Sequence, residues 1–171
     1  MKIDKGLLTI VGVTIALFVA LISIASPGNN STPQLLGASQ TSNQANPLTA
    51  TESFFDFGTV SMAKGKINHT FKITNPTQNG VKIGKIYTSC MCTTATLIKD
   101  GKRFGPYGMP GHAGLAAVNE TIEPGQETEI EVVFDPAAHG PSGVGPIGRE
   151  IIIEPEGTTP FKLSFRANVT P

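Results

Sequence analysis

From about Glu52 onward, several stretches carry apolar residues at every second position. In Ile67–Thr74, Ile67, His69, Phe71 and Ile73 share one face, and Asn68, Thr70, Lys72 and Thr74 share the other. Glu127–Phe134 groups Thr128, Ile130, Val132 and Phe134, and near the end Phe161, Leu163, Phe165, Ala167 and Val169 alternate with polar residues. A period of two marks antiparallel strands with one buried face. Shorter strands are expected at Ser53–Phe57, Val81–Thr88, Thr93–Ile98 and Arg149–Glu154, separated by the turn-rich stretches NPTQNG, EPGQ and EPEGTTP. About seven short strands predict an all-β, immunoglobulin-like β-sandwich over residues 52–171. Tryptophan is absent, which removes the Cys–Trp–Cys core of antibody domains. Asp100–Thr121 is rich in glycine and shows no strand period, so it reads as a long loop of the functional kind.

Ahead of this domain the pattern is different. Lys2 and Lys5 precede the uncharged run GLLTIVGVTIALFVALISIA, Gly6–Ala25. A helix of about 20 such residues spans the roughly 30 Å of a bilayer core. Residues 1–25 are therefore expected as one N-terminal transmembrane helix, or as an uncleaved signal. The lysines place its N-terminus in the cytoplasm and everything after Ala25 outside. A cleaved signal peptide ending near Ser23-Ile24-Ala25 is the competing reading, although the apolar run exceeds the roughly 7–15 residues of a signal core. Residues 26–51 carry mostly Ser, Asn, Gln, Thr and Pro and read as a flexible polar linker.

Charge changes the picture only by exclusion. Thirteen basic and thirteen acidic residues give a formal net charge of zero, so nucleic acid is not an expected partner. The expected partners are the membrane, through the anchor, and other envelope or surface proteins. The glycine-rich loop lacks the Lys-Ser/Thr ending of a phosphate-binding loop. Ser89 has no His–Asp partner at motif spacing, and no enzymatic activity is expected.

The succession FDFGTV (Phe55–Val60), HTFKITN (His69–Asn75), SCMCTTA (Ser89–Ala95) and EPGQETEIEVVFDP (Glu123–Pro136) resembles a bacterial domain family of unknown function. That family is similar to the immunoglobulin-like domains of Hydin, abnormal-spindle protein and major sperm protein. The resemblance implies a seven-stranded sandwich, often in an exported or membrane-anchored protein. It implies no reaction.

The chemistry lies in SCMCTTA, which holds both cysteines of the chain. On an extended strand Cys90 and Cys92 would point to one face, with Cα atoms roughly 6.5–7 Å apart. That is the upper edge for a disulfide, which would need a bend. Two thiolates can grip one ion without one. Outside the membrane a bound metal would also protect them from oxidation. Closed tetrahedral zinc takes four Cys or His ligands, and soft sulfur ligands equally admit copper(I). Cys90, Cys92, His112 and His139 are the candidate metal ligands, with Met109 as a further thioether. Met91 should face away from the cysteines and pack. His69, on an inner strand face, reads as a structural histidine with a satisfied hydrogen bond. Three readings of the cysteine pair stay open: a copper or zinc site in a binding module, an inert buried pair in a metal-free structural or adhesive module, and a thiol-redox pair.

Overall fold

The computed structural model describes residues 45–112 and 117–171. The expected anchor and most of the expected linker lie outside these residues. Among the described residues no helix is long and apolar enough to cross a membrane.

Among the described residues, ten strands form two sheets. They are β1 (Thr49–Ala50), β2 (Phe54–Ser61), β3 (Ile67–Thr74), β4 (Val81–Thr88), β5 (Thr93–Lys99), β6 (Lys102–Tyr107), β7 (Glu120–Ile122), β8 (Glu127–Phe134), β9 (Gly145–Pro155) and β10 (Phe161–Thr170). One sheet has the order β1-β3-β8-β5-β6 and the other β2-β10-β9-β4-β7. Every pairing is antiparallel except β2 with β10, which is parallel.

The period-two faces account for the core. Phe71 and Ile73 of β3, Leu97 of β5 and Ile130 and Val132 of β8 are wholly buried from one sheet, and Ile83, Ile151, Ile153 and Leu163 from the other. Each such side chain contributes roughly 1.5–3 kcal/mol by leaving water. Phe134 and Phe165 meet across the sheets with ring centroids 5.3 Å apart. His69 is structural, as its inner-face position predicts. Its ring stacks on Phe55 at 3.6 Å, and Nε2 lies 2.7 Å from Glu52 Oε1.

The sheet is larger than the sequence pattern suggests, for local reasons. Asp100 and Gly101 both have positive φ, 51° and 73°. Two such residues make the tight turn that hairpins prefer, and β6 folds back on β5 where a loop was expected. Its Pro106, with no N–H to donate, is tolerated because β6 is an edge strand. The end of the expected linker also joins the fold. Leu48 is 4% exposed within the core, and Thr49–Ala50 pairs with β3.

Register fixes which connections meet. Ile67 and Thr93 both pair with Phe134, so β3 and β5 begin where β8 ends. Three chain segments passing from one sheet to the other therefore gather at one end of the sandwich: β2 to β3, β4 to β5, and β8 to β9.

Candidate metal centre

The β4–β5 crossing is Ser89-Cys90-Met91-Cys92. It is a tight turn, not the extended strand the alternating spacing suggested. Thr93 N–H donates to Cys90 O at 3.1 Å, closing it. The buried Thr88 hydroxyl lies 3.0 Å from Cys90 O and 2.9 Å from Thr93 O, tying both ends of the turn together. Ser89 N–H donates to Glu150 O, and the Ser89 hydroxyl accepts from Glu150 N–H, which fasten the turn to β9. The bend turns both sulfurs inward: Cys90 is 9% exposed and Cys92 3%. Met91 is thrown outward at the tip and is 49% exposed. It does face away from the cysteines, but into solvent, because a turn has no second packed face.

The two sulfurs stand 2.6 Å apart, well inside van der Waals contact. Both cysteines are free. The Cys92 N–H also points at Cys90 Sγ, at 3.4 Å. A histidine reaches the pair from the β8–β9 connection. Asp135 N–H donates to Cys92 O at 2.8 Å, which lays the start of that connection on the cysteine turn. Asp135 Oδ1 accepts from Ala137 N–H, curling the chain so that His139 comes back over the turn. Gly140, at φ +56°, continues into the short helical turn Gly140–Gly143. His139 Nε2 is 3.1 Å from Cys90 Sγ. Behind the sulfurs, Arg149 of β9 donates through Nε to Cys92 Sγ at 3.2 Å.

These neighbours separate the two thiols. Burial pushes the Cys90 thiol up, but hydrogen bonds from the Cys92 thiol and amide and from His139, with the charge of Arg149, outweigh it and hold Cys90 at about 7. Cys92 is pushed up, by burial first and then by sharing its proton with Cys90, against the pull of Arg149. The first proton is therefore lost from Cys90, and Cys92 acts as its donor.

Cys90 Sγ, Cys92 Sγ and a His139 ring nitrogen all lie within 4.8 Å of one another, the spacing of ligands around one ion. At metal–sulfur distances of about 2.3 Å the sulfurs would open to roughly 3.8 Å, a side-chain rotation at each cysteine. Three of the four expected ligands are thus brought together. His112 is not: it is exposed on the turn after Pro110, its N–H bonded to Met109 O, and it is not in the converging group. Met109 is half-buried on that same segment. Arg149 was not foreseen. No local motif announces it, and only the register of β9 against the cysteine turn brings it to the sulfurs.

Among curated proteins, none matches this sequence. Among solved structures, a protein of unknown function from Porphyromonas gingivalis W83 is similar at 15% identity and a TM-score of 0.54, covering 76% of this chain. This chain spans half the length of that protein. The PapD-like domain 7 of human CEP192 is 11% identical, with 85% of this chain and 98% of that one covered and a TM-score of 0.43. The E. coli chaperone DraB is 8% identical, with 75% and 56% covered and a TM-score of 0.42. At 15% identity the likeness to the Porphyromonas gingivalis protein is one of fold alone, here an all-β sandwich of two sheets. Residues 48–106 match the family described as protein of unknown function (DUF1573), a stretch that includes the cysteine turn and stops short of His139 and Arg149.

Proposed function

We propose that this chain is a membrane-anchored, extracytoplasmic binding module that holds one copper or zinc ion at Cys90, Cys92 and His139. The observation that carries this reading is the convergence of two sulfurs and one imidazole nitrogen from two different connections. Supporting the location are the uncharged run Gly6–Ala25 and the lysines before it. In such a place two adjacent free thiols oxidise unless something holds them, and a bound ion does so. It would also pin the β8–β9 connection to the β4–β5 turn.

The thiol-redox reading draws support from the low Cys90 thiol and its contact with Cys92. Burial weighs against it. Reactive cysteines sit in partly exposed surroundings, whereas these are 9% and 3% exposed. A metal ion reaches such sulfurs more readily than the disulfide of a protein substrate.

Elemental analysis of the tag-free full chain, beside its Cys90→Ser/Cys92→Ser variant, tests the proposal. About one zinc or copper per chain, lost in the variant, is the expected result. Metal-free wild-type protein after anaerobic reconstitution with both ions contradicts it and favours a metal-free structural or adhesive module.

A further inference from the structure

The three donors and the arginine behind them discriminate between the two ions. We infer that the centre is built for copper(I) in three-fold coordination, with Arg149 balancing its charge. This rests on the metal-centre reading above and names its ligand.

The donor count comes first. Zinc in a closed structural site takes four ligands. The chain has only two cysteines and three histidines. Of the other histidines, His69 is committed to Phe55 and Glu52, and His112 stands outside the cluster. Among the described residues, no fourth His, Cys, Asp or Glu atom converges on the sulfurs. Zinc here would have to complete its shell with water. The flank of Cys92 is already taken, by Arg149 Nε at 3.2 Å and the Thr93 hydroxyl at 3.6 Å. Copper(I), a soft ion content with two or three ligands, needs nothing more and prefers thiolate.

Charge points the same way. Two thiolates and a neutral imidazole around copper(I) carry one net negative charge, and the Arg149 guanidinium neutralises it. The same ligands around zinc(II) are already neutral, so the half-buried Arg149 would face a neutral centre and lack the ion pairing that copper(I) gives it. Arg149 is therefore a positioning residue. It touches a ligand, not the ion, and fixes which ion the ligands prefer.

The test uses reduced, metal-free full-length protein under anaerobic conditions. Copper(I) is presented in competition with bathocuproine disulfonate, and zinc(II) in competition with a chromophoric zinc chelator. Copper(I) is expected at one per chain with the tighter affinity. In Arg149→Gln, copper(I) affinity should fall about tenfold, the usual size of an outer-shell effect. Zinc(II) affinity should hold or rise, and Arg149→Lys should restore most of the copper(I) affinity. A general loss of structure would weaken both ions together, and circular dichroism of each variant separates that outcome. Tighter zinc(II) than copper(I), or an unchanged preference in Arg149→Gln, overturns the inference and leaves the metal centre standing. Binding of neither ion overturns both.

Discussion

The two ends of the sandwich handle buried polar groups in opposite ways. At one end Asn75, wholly buried, spends its side chain on its neighbours. Its amide nitrogen donates to Asn79 O and Ile122 O, each at 2.8 Å, and its oxygen accepts from the Thr77 N–H and hydroxyl. Its backbone joins Gln126 O and Gly125 N–H. The Asn75 side chain uses its amide nitrogen and its oxygen on partners of the right kind, and that side-chain network is closed. At the other end, two buried sulfurs meet the imidazole nitrogen of the exposed His139, and a guanidinium donates to Cys92 Sγ. Those groups are lone-pair donors pointed at a common centre. A closed network stabilises a fold, and a convergent one is completed by a ligand.

That contrast can be broken by substitution. The largest effect is expected from Cys90→Ser/Cys92→Ser, which should remove the metal altogether while the metal-free protein stays folded, with a loss of about 1–3 kcal/mol for placing two hydroxyls at buried core positions. Asn75→Ala should do the reverse. It strands buried partners, each worth about 1–3 kcal/mol when left unsatisfied, so chemical denaturation should show a loss of roughly 2–4 kcal/mol with metal content unchanged. If Asn75→Ala lost metal without losing stability, the division between the two ends would be wrong.

A pH experiment sharpens the site end. In the reduced, metal-free protein, Cys90 should become thiolate as pH rises through about 7. Its alkylation rate should therefore climb to a plateau above that pH and fall off below it. Arg149→Gln, which removes a stabilising positive charge, should move the midpoint upward. A wild-type midpoint near the ordinary thiol value of about 8.5 would mean that His139 and Arg149 do not act on Cys90. The smallest effect is expected at Gly143. A Cβ there would sit 3.2 Å from His139 Cβ, so Gly143→Ala should nudge the imidazole and weaken metal binding a few-fold. Stability should change by no more than about 0.5 kcal/mol.

Sequence pattern read the strands well where burial is one-sided. β3, β8 and β10 show their alternation, and Phe71, Ile130, Val132 and Leu163 are buried as that alternation requires. β6 escaped because its apolar content is low, although Asp100-Gly101 is the dipeptide that two-residue hairpins favour. At the site, the cysteine pair and His139 were legible because their residue types are rare in this chain. A shared strand face does not bring the pair together, because residues 89–92 are not extended. A turn held by Thr88 brings the sulfurs together. His112 looked equal to His139 in sequence, since both lie in glycine-rich irregular segments. Periodicity reports which face of an element is buried and is silent on which connections meet. Arg149 was invisible for the same reason, because its place depends on how β9 aligns with β4 and β10.

X-ray absorption at the metal edge of the loaded full-length protein tests the central claim most directly. Two sulfur scatterers at about 2.3 Å and one imidazole nitrogen at about 2.0 Å are predicted, with the nitrogen lost in His139→Ala. A shell of oxygen and nitrogen alone, or one that His139→Ala leaves unchanged, would contradict a centre made of Cys90, Cys92 and His139.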